Sequence, residues 1–174
     1  MSCNDRYFAD ERSSAQYLKT HEAEFEHIAE EWNSSAANHI SIFCNFSAGN
    51  YRWENTFIRE TNDGFSVETD QGKKNAKSLE DAAMVAGISY AALSHWMDVT
   101  TRDNIYCLRD GDNSTVELLL KGSEWSPYGF RYAPKGNPAA LHFLENAVSV
   151  GRVDNTDTKM KYLSGRWFYF EAKR

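Results

Sequence analysis

Short extended segments joined by tight turn signals constrain the fold of this chain more than any other feature. In residues 39–46, the apolar side chains at positions 40, 42, 44 and 46 give a strand one fully apolar face. The tripeptide Asn62-Asp63-Gly64 predicts a hairpin turn, because these residue types tolerate positive φ angles. Strands that follow one another through tight turns pair antiparallel, since a parallel pair needs a long crossover connection. We therefore expect an antiparallel sheet.

Three amphipathic segments predict helices. The first covers Ser14 to Trp32 and places its apolar residues on one face. The second runs from Leu79 to about Met97 behind the N-cap residue Ser78 and is interrupted only by Gly87. The third begins at Asn137-Pro138 and extends to Gly151. The remaining pattern predicts a loop at Gln71–Lys77 and further strands at Tyr51–Glu60, Phe65–Thr69, Asn104–Leu108, Thr115–Lys121, Tyr128–Tyr132 and Arg166–Ala172.

This order of elements predicts an α+β fold with a mainly antiparallel, curved sheet and about three helices packed on one face. The length of 174 residues predicts a single α+β domain over residues 1–174. No run of about 18 apolar residues predicts a membrane span, and the first residues lack the pattern of a signal peptide. We therefore expect a cytoplasmic protein without a membrane partner, in which Cys3, Cys44 and Cys107 are reduced thiols.

Negative charge is concentrated in the first helix. The chain carries a formal charge of −6 and has a pI of about 5.4, which disfavours non-specific binding to nucleic acid phosphates. The first helix contributes Glu22, Glu26 and Glu30, among other glutamates. One interpretation is a solvated helix face. The other is a partner-binding face in which the carboxylates imitate phosphate charge.

Aromatic residues are concentrated in two other segments. Trp125 and Tyr128 belong to the first of these segments, and Trp167 to Phe170 are four consecutive aromatic residues. Successive side chains of a strand point to opposite faces, so two of these four point away from the other two. One hypothesis makes Trp125, Tyr128, Trp167 and Tyr169 partner-binding anchors. The alternative is a sheet that is buried on both faces.

The segment from Ser78 to Met97 has the spacing of a helix-turn-helix unit, carried by Ala83, Gly87, Ile88, Leu93 and Trp96. It resembles the helix-turn-helix of excisionase-like and MerR-like proteins. In a DNA-binding regulator of this kind, the contact residues are Ser89, Tyr90, Ser94 and His95. This segment offers no Arg, Lys, Asn or Gln for bidentate contacts with bases. The alternative is one amphipathic helix, kinked at Gly87, that covers the sheet.

A second resemblance covers about residues 49–93. It is carried by Gly49–Glu54, Asn62–Phe65, Ser78–Ala86 and Ala92-Leu93. These segments resemble a Gly-Tyr-Trp strand, an Asn-Gly-Gly-Phe hairpin and an alanine-rich helix that begins with serine, as found in the antirestriction family of mobile elements (ArdB/KlcA type). The resemblance implies a non-enzymatic protein that blunts a host restriction system through protein contacts. It supplies no catalytic residues.

Enzyme signatures are weak in this sequence. His39-Ile40-Ser41 is similar to the His-x-Ser/Thr unit of two-histidine phosphoesterases, but those enzymes need a second unit so that one histidine is the base and the other the acid. No Cys or His pair has metal-ligand spacing, and no glycine-rich phosphate loop is present. We therefore expect no catalytic residue, no metal and no cofactor.

Together these patterns predict a phage- or mobile-element-encoded inhibitor that binds a host protein, such as a defence nuclease. A DNA-binding regulator that uses residues 78–97 is the alternative, although nucleic acid is not the expected partner. A phosphoesterase that uses His39 is the third hypothesis. The sequence leaves open whether the chain forms a homo-oligomer.

Overall fold

The computed structural model describes residues 11–35, 40–43, 50–53, 56–69, 71–103, 105, 107–121, 128–150 and 157–173. Contacts divide the chain into two compact units. Unit 1 comprises Met1–Asn4 and Ala36–Arg109, and unit 2 comprises Asp5–Ser35 and Asp110–Arg174. Residues 36–109 therefore separate the two parts of unit 2 along the chain.

The elements follow one another in this order: α1 (Glu11–Ser34), β1 (Ile40–Phe43), β2 (Asn50–Trp53), β3 (Thr56–Thr61), β4 (Gly64–Thr69), β5 (Gly72–Ala76), α2 (Leu79–Ala86), α3 (Tyr90–Arg102), β6 (Cys107–Asp110), a 3-10 turn (Asp112–Ser114), β7 (Val116–Lys121), β8 (Tyr128–Tyr132), α4 (Pro138–Val150), β9 (Asp157–Ser164) and β10 (Trp167–Lys173).

The strands of unit 1 form an antiparallel sheet in the order β5-β4-β3-β2-β1-β6. The hairpin predicted at Asn62-Asp63-Gly64 is confirmed, because β3 and β4 pair on either side of it. The prediction of one extended segment over Tyr51–Glu60 is wrong. That segment contains two strands, and Trp53 of β2 pairs with Thr56 of β3. The polar residues Glu54 and Asn55 between Trp53 and Thr56 were the available signal for the reversal.

The prediction of a loop at Gln71–Lys77 is also wrong, because Gly72–Ala76 forms strand β5. This strand pairs with β4 alone among the described strands of unit 1. All its side chains except that of Ala76 are exposed. An edge strand needs no apolar alternation, and exposed lysines such as Lys73 and Lys74 are common protection for a free sheet edge.

The predicted second helix is divided into α2 and α3. Ser78 caps α2, since its Oγ accepts a hydrogen bond of 3.1 Å from the Asp81 N–H. Gly87 ends α2 in the left-handed conformation (φ 72°), and its N–H is directed at the carbonyls of Ala83 and Met84. Such a left-handed C-cap favours glycine, which has no Cβ to clash. Ser89 then caps α3 through a bond of 3.3 Å from the Ala92 N–H.

The strands of unit 2 form an antiparallel sheet in the order β7-β8-β10-β9. Helix α1 packs on β7, β8 and β10. The ring of Phe25 lies 6.1 Å from that of Phe130 and 6.5 Å from that of Trp167. The apolar face predicted for α1 is confirmed, because all its members are buried: Leu18, Phe25, Ile28, Ala29 and Trp32. Strand β9 was not predicted from the sequence.

The fold class is confirmed as α+β with mainly antiparallel strands. The described part of the chain contains four α-helices rather than about three, because the predicted second helix is divided at Gly87. The organisation as a single domain over residues 1–174 stays a prediction, as does the curvature of the sheet. No helix in the described ranges is both long and apolar enough to cross a membrane.

Candidate functional site

The surface where α2 meets α3, here called the α2–α3 corner, is the candidate site in unit 1. It is a concave surface of about 470 Å³, lined by Glu80, Asp81, Met84, Gly87, Ile88 and Tyr90. Met84 exposes 70% of its surface and Tyr90 exposes 42%. The corner therefore presents apolar side chains in a concave surface that is open to solvent.

Burial on the opposite sides of the two helices fixes this exposure. Helix α2 packs on the sheet through Ala82 and Ala83, which are fully buried. Met84 follows Ala83 directly and faces outward. Helix α3 buries Leu93 and Trp96. The chain direction changes at Gly87 between the two helices, which places the start of α3 beside the exposed side of α2.

Carboxylates give the corner an acidic rim. Glu80 is exposed and Asp81 is half-buried, and both lie in the first turn of α2, where the helix dipole favours negative charge. Within the described residues, neither lysine nor arginine lines the corner. A ligand for this surface must therefore tolerate two carboxylates beside apolar side chains.

The residues of the DNA-binding alternative lie at the N-cap and in the first two turns of α3. Ser89, Tyr90 and His95 are exposed, whereas Ser94 is half-buried. The structure shows the two separate helices that a helix-turn-helix requires. It also places Glu80 and Asp81 in the same concave surface as Tyr90, where they repel phosphate.

Helix α3 offers little positive charge for a phosphate. Asp98 is exposed one helical turn after His95. The guanidinium of Arg102 donates two hydrogen bonds, of 2.9 Å and 2.7 Å, to the carboxylate of Asp103. This bidentate pair neutralises the only arginine that the described residues of α3 contain.

The three glutamates predicted to bind a partner make contacts inside unit 2. Glu22 Oε1 accepts a hydrogen bond of 2.8 Å from Ser164, and Glu26 pairs with the ammonium of Lys135. Glu30 Oε1 accepts bonds from the Tyr132 hydroxyl at 2.7 Å and from the Lys135 backbone N–H at 2.8 Å. These glutamates thus connect α1 to the ends of β8 and β9.

Two pKa shifts result from these contacts. Burial, the hydrogen bond to Glu30 and the negative charges of Glu30 and Glu26 together raise the pKa of Tyr132 well above its ordinary value. The hydrogen bond and charge of Glu26 raise the pKa of Lys135. Both shifts extend the protonated form of these groups to higher pH.

The prediction that Trp167 and Tyr169 are partner-binding anchors is wrong. Trp167 is fully buried and Tyr169 is 3% exposed, so neither is an exposed anchor. Phe168 and Phe170 are buried as well. The four consecutive aromatic residues therefore agree with the alternative interpretation, a sheet that is buried on both faces. Tyr128 is half-buried, and burial followed by the charge of Glu171 raises its pKa.

Several predicted residues lie outside the described part of the chain, namely Trp125, His39, Cys3 and Cys44. The phosphoesterase hypothesis, which depends on His39, therefore stays a prediction. Cys107 is buried. In the ranges that the structure describes, no group of three or more His, Cys, Asp or Glu residues is arranged to hold a metal ion.

Met84 was not among the residues predicted to bind a partner. Its exposure follows from the packing of α2 on the sheet through Ala82 and Ala83, and the division of the helix at Gly87 places Tyr90 in the same concave surface. The glycine within the helical pattern was the available signal. Comparisons with protein-family models, with curated proteins and with solved structures find no match.

Proposed function

We propose that this chain is a non-enzymatic, protein-binding inhibitor of a host defence system of the restriction type, encoded by a phage or mobile element and acting in the cytoplasm. The observation that carries the proposal is the α2–α3 corner, where Met84 and Tyr90 are exposed in a concave surface with a carboxylate rim. The antirestriction-like segments Asn62–Phe65 and Ser78–Ala86 support it, since the second of these segments builds one side of the corner.

A contiguous exposed apolar surface that is rimmed by polar groups marks an interaction site. Tyrosine is enriched among the residues that dominate binding energy, and the flexible thioether of methionine adapts to different partner surfaces. The carboxylates of Glu80 and Asp81 favour a basic partner surface, such as the part of a nuclease that contacts DNA. These properties together favour a protein as the partner.

The test is a plating assay with unmodified phage on bacterial strains that each carry one restriction system. We expect the protein to raise the plating efficiency on at least one of these strains, and Met84→Lys combined with Tyr90→Ala to abolish most of that rise. Val150→Lys is the matched control, because Val150 is also 70% exposed but lies on α4 in unit 2. No rise on any strain contradicts the proposal.

A DNA-binding regulator is the second candidate function, and the separation of α2 from α3 favours it. Gel-shift assays with genomic fragments at low salt test this candidate, because low salt favours phosphate contacts. Retardation that is lost in a Tyr90→Ala/His95→Ala variant supports DNA binding through α3. The absence of retardation at low salt rejects it.

A further inference from the structure

We propose that the α2–α3 corner binds a basic amphipathic segment of its partner, in which an apolar side chain is flanked by lysine or arginine. The proposal rests on the proposed function, because it specifies the chemistry of the partner surface that the inhibitor recognises.

The volume of the corner limits what it can hold. The concave volume of the corner is about 470 Å³ and is open to solvent. Such a volume accommodates a few side chains of a partner rather than a whole domain face. Ile88, which is half-buried, and Met84, which is exposed, both line the corner, so an inserted apolar side chain contacts apolar atoms there.

The charge of the corner selects the residues beside that side chain. Glu80 and Asp81 line the same surface, and lysine or arginine next to the inserted residue pairs with their carboxylates. A second copy of this chain, docked symmetrically through the corner, places the same carboxylates opposite one another. Like charges in such a contact are unfavourable, so the basic segment belongs to a different protein.

Gly87 leaves the backbone of the corner accessible. A Cβ atom built on Gly87 meets no heavy atom within 4 Å, so the space above this residue is open. Asparagine also adopts the left-handed conformation at the end of a helix. A Gly87→Asn substitution therefore adds a side chain to the corner while it keeps the C-cap of α2.

The experiment measures fluorescence anisotropy of a short labelled peptide with a central leucine between arginines, titrated with the full chain. We expect binding that weakens with added salt and that falls at least about tenfold, or about 1.4 kcal/mol, in Glu80→Lys and in Gly87→Asn. Two further peptides, one with serine for leucine and one with glutamates for the arginines, should bind more weakly.

Gly165→Asn is the matched control for Gly87→Asn. Gly165 also has a left-handed φ of 52°, and a Cβ there meets only Glu22 Oε1 at 3.8 Å. Glu145→Lys on α4 is the control for charge reversal, since Glu145 is exposed. Circular dichroism of each variant establishes that it is folded.

Three results overturn the inference: no binding of the arginine-leucine peptide, equal binding of the glutamate peptide, or unchanged binding by Gly87→Asn. The peptide titration and the plating assay are independent measurements, because the titration contains no restriction system. If plating rises but the peptide does not bind, the inference fails and the proposed function stands. If the peptide binds at the corner and no strain shows a rise, the proposed function fails.

Discussion

The hydroxyl of Tyr132 donates a hydrogen bond of 2.7 Å to Glu30 Oε1 and connects two residues that are 102 positions apart in the sequence. Glu30 Oε1 also accepts the backbone N–H of Lys135 at 2.8 Å. One carboxylate on α1 thus holds both the end of β8 and the turn that follows it. This arrangement fixes the position of α1 on the sheet of unit 2.

Loss of the Tyr132 hydroxyl should destabilise the protein. We expect Tyr132→Phe to lower the free energy of unfolding by about 1–2 kcal/mol, because Glu30 Oε1 loses one of the two donors it has among the described residues. Urea denaturation followed by tryptophan fluorescence measures the change. Tyr162→Phe is the control, since Tyr162 is 52% exposed and should change stability by less than about 0.5 kcal/mol. Equal effects of the two substitutions would contradict the role of the hydrogen bond.

The raised pKa of Tyr132 predicts alkaline destabilisation. In the unfolded chain this tyrosine loses its proton near a pH of about 10, whereas in the folded protein it retains the proton to higher pH. The unfolded state then binds fewer protons than the folded state, so stability falls as the pH rises above about 10. We expect the wild type to lose up to about 1.4 kcal/mol per pH unit more than Tyr132→Phe in this range. Parallel slopes of stability against pH for the two proteins would argue against this shift.

The ion pair between Glu117 and Arg131 is buried in unit 2. The Glu117 Oε1 to Arg131 Nη2 distance is 2.5 Å, and the side chains are 2% and 9% exposed. Arg131 Nε and Nη1 have no hydrogen-bond partner among the described residues. Asp112 Oδ2 lies 3.5 Å from Nη2, so Glu117 supplies the shortest ion-pair contact of this guanidinium.

Removal of the charge of Glu117 should therefore cost more than a surface substitution. We expect Glu117→Gln to lower the free energy of unfolding by about 3–5 kcal/mol, because a buried guanidinium loses its closest charge partner. Thermal and guanidinium denaturation measure the loss. The double variant Glu117→Leu/Arg131→Met should recover much of it, since it leaves no buried charge. Glu145→Gln is the control, because Glu145 is exposed and its substitution should change the free energy of unfolding little. A loss in Glu117→Gln as small as that in Glu145→Gln would contradict a buried ion pair.

Gly129 is required by the approach of two strands. A Cβ atom at Gly129 in β8 would lie 2.2 Å from the backbone oxygen of Leu118 in β7. We expect Gly129→Ala to destabilise the protein by about 1–3 kcal/mol, because backbone atoms cannot yield as a flexible side chain can. Gly136→Ala is the matched control, since nothing lies within 4 Å of its Cβ position. The melting temperatures of the two variants test this difference, and a stable Gly129→Ala variant would contradict it.

The sequence predicted elements that have a strong local signal. Helix α1 was found from the spacing of its apolar residues, and the hairpin at Asn62-Asp63-Gly64 was found from its turn residues. Helix α4 was found from Asn137, whose Oδ1 accepts a hydrogen bond of 3.0 Å from the Ala140 N–H. Each of these signals lies within a few residues and needs no information about tertiary packing.

The missed features depend on contacts that are distant in sequence. Strand β9 is largely polar, with exposed Lys159 and Lys161, and is held by its pairing with β10. The burial of Trp167 required knowledge of α1, which covers its face of the sheet. The candidate site was predicted only in part. Tyr90 was predicted as a DNA-contact residue, whereas Met84 was not predicted as a site residue.

The insertion of residues 36–109 between α1 and the rest of unit 2 has a consequence for synthesis of the chain. At about 5–20 residues per second, the ribosome makes all of unit 1 in the several seconds before the first strand that contacts α1 emerges. During that interval Phe25, Ile28 and Trp32 have no sheet to cover them. The sheet of unit 2 therefore cannot be complete until β10 has been translated, long after α1 was made.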